Sequence, residues 1–171
     1  KYDHEVVVMN TLTANLHTLL VSFYQPTSRR FKILTEAGNF PSDQYALESQ
    51  LKYHGYSMEE ALIEVGPSDG ERTLRTKDVL NAIKEAGDSL ALVMMSGVNY
   101  ATGQFFDLER ITAEAHAVGA LAGFDLAHAF GNIPLKLHKW GVDFATWCSY
   151  KYVNSGPGGP SGIFASNFML R

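Results

Sequence analysis

Short apolar runs alternate with amphipathic stretches along the whole chain, and this alternation limits the fold more than any other feature. The run at residues 89–95 is almost continuously apolar, which is typical of a parallel strand covered on both faces. The stretches between such runs repeat apolar residues every three or four positions, the spacing of a helix buried along one side. The sequence therefore predicts an α/β fold in three layers, a mostly parallel sheet with helices on both faces.

Individual elements follow from the same patterns. Strands are predicted at residues 5–9, 31–34, 61–65, 89–95, 120–124, 142–147 and 162–165. Side chains that can accept a hydrogen bond from a free backbone N–H are expected to cap helices at Thr13, at Thr76 and at either Ser42 or Asp43. Helices are expected to end at Gly55, Gly87 and Gly119. The helix after Asp43 is expected to turn Tyr45, Leu47 and Leu51 inward.

Length and charge restrict the class of protein. The chain has 171 residues, which is typical of one domain. Its 14 basic and 18 acidic side chains give a net charge of −4, so we expect no cationic surface for nucleic acid. No apolar run approaches the ~18 residues that span a bilayer, and residues 1–5 lack the pattern of a signal or transit peptide. We therefore expect a cytoplasmic protein that binds neither nucleic acid nor a membrane.

The cysteine and histidine content argues against structural cross-links. Cys148 is the single cysteine, and the five histidines other than His128 lack the spacing of metal ligands, so we expect no disulfide, no metal site and a buried Cys148. Charged residues make up 19% of the chain, below the ~25% typical of soluble domains. Part of the surface is therefore expected to be covered by a partner or by further chain. The sequence starts at Lys1 rather than at a methionine, so the natural N-terminus is expected upstream.

Polar segments follow the predicted strands or begin the predicted helices at five places. They lie at Thr13, at residues 39–43, at Ser96, at residues 125–128 and at residues 150–151. In an open α/β sheet, ligands bind beyond the carboxyl ends of the strands, so these segments are expected to share one rim. The sequence therefore predicts a ligand site on that rim.

The side chains of this rim suit pyridoxal phosphate. The amine of Lys151 can form a Schiff base with an aldehyde, and the carboxylate of Asp125 can keep a ring nitrogen protonated. Phe40 offers an aromatic face, and a helix start at Thr13 offers backbone N–H groups to a phosphate. Each residue also has a plainer interpretation: Lys151 as a surface charge, Asp125 as a turn cap, Phe40 as core and Thr13 as a helix cap alone.

Several motifs carry a resemblance to a known family. They are Phe40-Pro41-Ser42-Asp43, Ser96-Gly97-Val98, Asp125-Leu126-Ala127-His128-Ala129 with Gly131-Asn132, and Ser149-Tyr150-Lys151-Tyr152 with Asn154 and the run from Gly156 to Gly159. With these motifs in order from Val6 to Phe164, the sequence resembles the kynureninases, pyridoxal-phosphate enzymes related to class V aminotransferases. The resemblance implies the large domain of a fold-type I enzyme.

The resemblance also implies a role for each site residue. Lys151 would hold the cofactor as a Schiff base, Asp125 would bind the pyridine nitrogen, and Phe40 would stack on the ring. Asp43 and His128 would steady the ring substituents, and Tyr150 would join the phosphate site and relay a proton. Lys151 and Tyr150 are thus the expected catalytic residues. The full set expected to bind the cofactor is Leu12, Thr13, Phe40, Pro41, Ser42, Asp43, Ser96, Asp125, His128, Tyr150 and Lys151.

The activity implied by the resemblance is a hydrolytic step of tryptophan catabolism. L-Kynurenine or 3-hydroxykynurenine, a small amino-acid substrate, is cleaved between Cβ and Cγ to alanine and anthranilate or 3-hydroxyanthranilate. Residues 1–171 would form one domain, part of the large domain of a homodimer. An N-terminal segment, a small domain and an arginine for the substrate carboxylate would lie outside it, so we expect little turnover from this chain alone. Another class V enzyme, such as an aminotransferase or a cysteine desulfurase, and a catalytically silent fragment remain alternatives.

Overall fold

The computed structural model describes residues 3–167, and within them seven strands form one mixed sheet. The strands are Val6–Val8 (β1), Lys32–Glu36 (β2), Leu62–Val65 (β3), Leu90–Ser96 (β4), Leu121–Asp125 (β5), Phe144–Trp147 (β6) and Gly162–Ala165 (β7). The helices of the same residues are Leu12–Phe23 (α1), Pro41–Tyr53 (α2), Met58–Ala61 (α3), Thr76–Ala86 (α4), Leu108–Ala117 (α5) and Leu137–Trp140 (α6). Each predicted strand is present, with ends that shift by up to two residues.

The sheet brings the ends of its central strands to one edge. The strand order is β1-β7-β6-β5-β4-β2-β3. Strands β3, β2, β4, β5 and β6 run parallel, whereas β7 runs antiparallel to its neighbours β6 and β1. Glu36, Ser96, Asp125 and Trp147, the last residues of β2, β4, β5 and β6, therefore lie along the same rim. The predicted mostly parallel sheet is confirmed.

Helices cover both faces of this sheet. The two faces of β4 alternate, so that Val93 and Met95 join the core under α4 and α5, while Leu92 and Met94 join the core under α1 and α2. All four side chains are buried, and each contributes about 1.5–3 kcal/mol through the loss of exposed apolar surface. The sequence of β4 is almost continuously apolar because helices cover the strand on both faces. The three-layer architecture is also confirmed.

All three predicted N-terminal helix caps are wrong. Thr11, not Thr13, caps α1, because its hydroxyl accepts a hydrogen bond from the Ala14 N–H at 3.4 Å. Phe40 occupies the cap position of α2 and Pro41 the first helical position, which suits proline because that position needs no N–H donor. Ser42 and Asp43 therefore lie inside the first turn and do not cap it. Likewise Arg75 precedes α4, and Thr76 is its first residue.

The inward face of α2 also differs from the prediction at one position. Leu47 and Leu51 are buried, as predicted, but Tyr45 is 68% exposed. Residues two apart in a helix do not share a face, so Tyr45 and Leu47 cannot both point inward. The predicted ends at Gly55, Gly87 and Gly119 are confirmed, and all three glycines have positive φ. None of the helices in residues 3–167 is long and apolar enough to cross a membrane.

Candidate active site

A cavity of about 250 Å³ opens at the rim where β2, β4, β5 and β6 end. This volume lies slightly below the range of about 300–1,000 Å³ typical of small-molecule sites. The residues that line it are Leu12, Thr13, Asn39, Phe40, Ser42, Asp43, Ser96, Val98, Tyr100, Asp125, Ala127, His128, Tyr150 and Lys151. Every predicted site residue except Pro41 is in this set. Pro41 instead begins α2 and fixes the backbone that carries its neighbours Phe40 and Ser42 into the cavity.

Two carboxyl groups lie together at the bottom of the site. Asp125 ends β5 and is 6% exposed, and Asp43, from the first turn of α2, is 1% exposed. The Asp43 carboxyl donates a hydrogen bond to Asp125, which also accepts one from the Ala127 N–H at 2.6 Å. Burial raises the pKa of both carboxyls, and the charge of Asp125 raises that of Asp43 further. The pair therefore retains one proton at neutral pH in the ligand-free chain.

Lys151 approaches these carboxyls from the loop after β6. Its Nζ lies 5.9 Å from the centre of the Phe40 ring and 5.3 Å from that of Tyr150, within the range of cation–π attraction. The same Nζ donates to the Cys148 sulfur at 3.6 Å. The positive charge of Lys151 also favours the ionised form of Asp125. An amine and a carboxylate therefore lie on the walls of one cavity.

The aromatic rings of Phe40 and Tyr100 also line the cavity. Phe40 is 42% exposed, which argues against its interpretation as a core residue. Its ring meets that of Tyr100 edge to face, at a centroid distance of 5.2 Å. The Phe40 N–H donates to the Asn39 side chain at 2.7 Å, and that side chain in turn donates to the Thr35 hydroxyl at 3.0 Å. The Phe40 ring is thus held at the rim by a buried hydrogen-bonded support.

His128 and Tyr150 supply further groups that can exchange protons. Burial lowers the pKa of His128, and the nearby charge of Lys151 lowers it further, so the imidazole is neutral at neutral pH. Burial raises the pKa of Tyr150, as does the contact with Cys148. The Tyr150 hydroxyl therefore keeps its proton at neutral pH and can donate it.

The start of α1 forms the remaining wall. Leu12 and Thr13 are its first two residues and line the cavity. The first N–H groups of a helix have no partner within it, and the helix dipole favours an anion there. The first turn of α1 contains no acidic residue. Because Thr11 rather than Thr13 caps the helix, the Thr13 side chain remains available to a ligand.

The cavity also contains residues that the sequence did not single out. Asn39 and Ala127 lie in segments that were already expected on the rim, and Val98 and Tyr100 follow Ser96 by two and four residues. Their position beside predicted site residues was the only signal in the sequence. Glu36, which lies beside the cavity and does not line it, was also missed, because β2 was predicted to stop two residues before its actual end.

Cys148 is buried, as predicted, with 1% of its surface exposed. It follows β6 directly and packs in a small cluster with Leu12 and Ala127. A sulfur held in this way against the Lys151 amine lacks the access that a catalytic thiol needs. The position of Cys148 therefore argues against a desulfurase-like nucleophile.

Comparison with known proteins agrees with this geometry. The model of the family "Aminotransferase class-V" matches residues 1–168. The kynureninase of Myxococcus xanthus is 61% identical over 160 residues, and that of Mus musculus is 55% identical over 163. These alignments cover 94% and 95% of this chain but only 38% and 35% of the two relatives. The chain thus spans somewhat more than a third of the length of these proteins.

Solved structures share the fold at low sequence identity. A cysteine desulfurase from Thermococcus onnurineus NA1, solved in its apo form, superposes with a TM-score of 0.80 at 22% identity, over 96% of this chain and 39% of its own. The cystine C-S lyase C-DES superposes with a TM-score of 0.79 at 18% identity, over 97% and 42%. At such identities the similarity concerns the fold alone. The sequence match along nearly the whole chain goes further: this protein belongs to the class-V aminotransferase family.

Proposed function

We propose that this chain carries the pyridoxal-phosphate site of a kynureninase. In the whole protein this site would serve the hydrolysis of L-kynurenine or 3-hydroxykynurenine to alanine and anthranilate or 3-hydroxyanthranilate. The observation that carries the proposal is that Lys151, Asp125 and Phe40, from three separate segments, line the same cavity. The identity of 55–61% to kynureninases of Mus musculus and Myxococcus xanthus supports this substrate class over those of more distant class V enzymes.

The chemistry of the cavity fits each part of the cofactor. The Lys151 amine can take the aldehyde, and the buried Asp125 carboxylate can bind a protonated ring nitrogen. The Phe40 ring can cover one face of a planar heterocycle, and the α1 N-terminus at Leu12 and Thr13 can bind the phosphate. An anion site, a buried carboxylate and an amine thus occur together.

The other lining residues would hold the substituents of the ring. Asp43 and His128 would lie beside the ring substituents. Ser96 would lie next to Asp125, with which it pairs in the register between β4 and β5. Ser42 would support Asp43, to whose carboxyl its hydroxyl donates at 3.3 Å. Tyr150 would complete the phosphate site, since its hydroxyl keeps a proton to donate.

Pyridoxal phosphate, when bound, supplies an aldehyde for the substrate amine and a cationic ring that stabilises negative charge at the substrate carbons. Lys151 Nζ, once free of the cofactor, is the base for the proton on the substrate α-carbon. Asp125 keeps the ring nitrogen protonated as long as its own carboxyl is ionised. Burial raises the pKa of that carboxyl, but the protonated ring beside it lowers the pKa again. The Tyr150 hydroxyl would relay a proton in the later steps.

Labelling of Lys151 tests the cofactor site. The purified chain is mixed with pyridoxal phosphate, reduced with borohydride and digested, and the peptides are weighed by mass spectrometry. We expect the mass of the cofactor on the peptide that contains Lys151, and its loss in Lys151→Ala. The matched controls Lys136→Ala and Lys139→Ala, which alter lysines outside the cavity, should label like wild type. Labelling at other lysines, or none, would reject the site.

The remaining parts of the proposal concern the whole protein. We infer that residues 1–171 form one domain within a larger pyridoxal-phosphate-binding domain, in a cytoplasmic homodimer. The share of the relatives that this chain spans, 35–38%, supports a contribution from further chain to the complete site. Anthranilate release by the 171-residue chain should therefore be far slower than by a full-length kynureninase, and a comparable rate would contradict this.

A further inference from the structure

Glu36 is buried beside the cavity but does not line it. Its side chain, at the end of β2, is 2% exposed. Its two carboxylate oxygens accept hydrogen bonds from the Ser96 N–H at 3.1 and 3.2 Å, and the Ser96 hydroxyl donates to Oε1 as well. Since β2 and β4 are neighbours in the sheet, Glu36 fixes the strand end that carries Ser96 into the cavity.

The bond to Glu36 determines what the Ser96 hydroxyl can offer a ligand. A hydroxyl has one hydrogen to donate and two lone pairs that accept. Its hydrogen is given to Glu36, so toward the cavity the hydroxyl of Ser96 can only accept. A ligand that presents an N–H or O–H at this position is therefore favoured over one that presents a bare acceptor.

Glu36 also adds to the negative charge at the bottom of the site. Its charge raises the pKa of Asp43, and the charge of Asp125 raises that of Glu36 in addition to the larger effect of burial. Lys151 and His128 face Asp125 from the loops after β6 and β5, and the positive charge of Lys151 offsets part of this negative charge, whereas the His128 imidazole is neutral at neutral pH. The three carboxyls together favour a proton or a cation among them.

We propose that Glu36 is a positioning residue of the cofactor site, which holds Ser96 at the cavity and adds its negative charge beside the Asp43–Asp125 pair, and so favours a heterocycle protonated on the atom that faces Asp125. The inference rests on the proposed function, because the heterocycle is the cofactor ring. The effect of Glu36 on its neighbours is nevertheless a property of the chain without a ligand. It can therefore be tested separately.

The first test is a carbon-13 NMR titration of the side-chain carboxyls in the ligand-free chain. Glu36→Gln should lower the pH midpoint of Asp43 by on the order of one pH unit, because a nearby like charge is removed. The matched control is Glu64→Gln, an exposed glutamate on the adjacent strand β3, which should leave the midpoint unchanged. A midpoint in Glu36→Gln equal to that of wild type would overturn the proposal.

A second variant covers the case in which Glu36→Gln does not fold. Ser96→Ala removes one hydrogen bond to the Glu36 carboxylate, and should raise the pH midpoint of Glu36 itself. The second test adds pyridoxal phosphate and follows its visible absorption with pH. In Glu36→Gln the midpoint of that change should move to lower pH, and in Glu64→Gln it should stay.

The two tests separate this proposal from the proposed function. If wild type shows no cofactor absorption, the proposed function fails, while the ligand-free titration still decides whether Glu36 acts on Asp43. If wild type binds the cofactor and Glu36→Gln shows the same pH midpoint, the positioning role of Glu36 is wrong and the cofactor site stands.

Discussion

The carboxyl of Asp43 should make the ligand-free protein less stable as the pH rises. Asp43 is buried and donates a hydrogen bond to Asp125, and its folded-state pKa lies above the ordinary value of 3.8. The folded chain then binds a proton that the unfolded chain releases. For a group of this kind, the contribution to stability is fully present below the unfolded pKa and is lost as the pH rises toward the folded pKa.

The size of the effect follows from the proton that the folded state must retain. For each pH unit above 3.8, the folded state loses about 1.4 kcal/mol of unfolding free energy because it must hold a proton that the unfolded chain has released. At neutral pH this loss amounts to about 4 kcal/mol. Asp43→Asn retains an N–H donor for Asp125 and needs no proton. Relative to wild type, this variant should therefore gain up to about 4 kcal/mol of unfolding free energy between acidic and neutral pH.

The assay is urea unfolding, followed by far-ultraviolet circular dichroism at several pH values between about 4 and about 8. Asp69→Asn, which changes an exposed aspartate in the loop after β3, is the matched control and should follow wild type. If the difference between Asp43→Asn and wild type varies by less than about 1 kcal/mol over this range, the shared proton is refuted.

Two further predictions concern the segments that position the cavity. Thr11→Ala should cost about 1 kcal/mol of unfolding free energy because it removes the cap of α1. Thr13→Ala should leave the stability nearly unchanged and weaken pyridoxal-phosphate binding. Equal losses of stability in the two variants would contradict the assignment of Thr11 as the cap. Gly97→Ala would place a Cβ 2.7 Å from Leu126 Cδ2 and 3.0 Å from the Ala129 Cβ, which should cost about 1–3 kcal/mol. Its control, Gly66→Ala, meets only the Ala37 Cβ at 3.5 Å and should be tolerated.

The strand pattern could be predicted well because it depends on burial on both faces. Residues 90–95 are apolar since β4 lies inside the sheet, between β2 and β5. Once the strands were located, the rule that ligands bind beyond their carboxyl ends was enough to locate Asp125 and Ser96. The loop after β6 has no regular pattern of its own, so the role of Lys151 rests on its motif and stays a prediction.

The parts that failed depend on details that periodicity does not encode. Thr11 and Thr13 have the same capping chemistry, and only the backbone shows that the helix begins at Leu12. The four-residue helices α3 and α6 are too short to show a repeat of their own. Glu36 was missed since the predicted strand ended at Leu34, whereas β2 continues to Glu36 and buries its carboxylate against Ser96. Such polar contacts between neighbouring strands arise only in the folded sheet.

The most direct test of the account is a crystal structure of the chain grown with pyridoxal phosphate. We predict electron density that runs without a break from Lys151 Nζ into the cofactor, with the ring over Phe40 and the ring nitrogen within hydrogen-bonding distance of Asp125. A cofactor bound elsewhere, or one whose nitrogen points away from Asp125, would contradict the account.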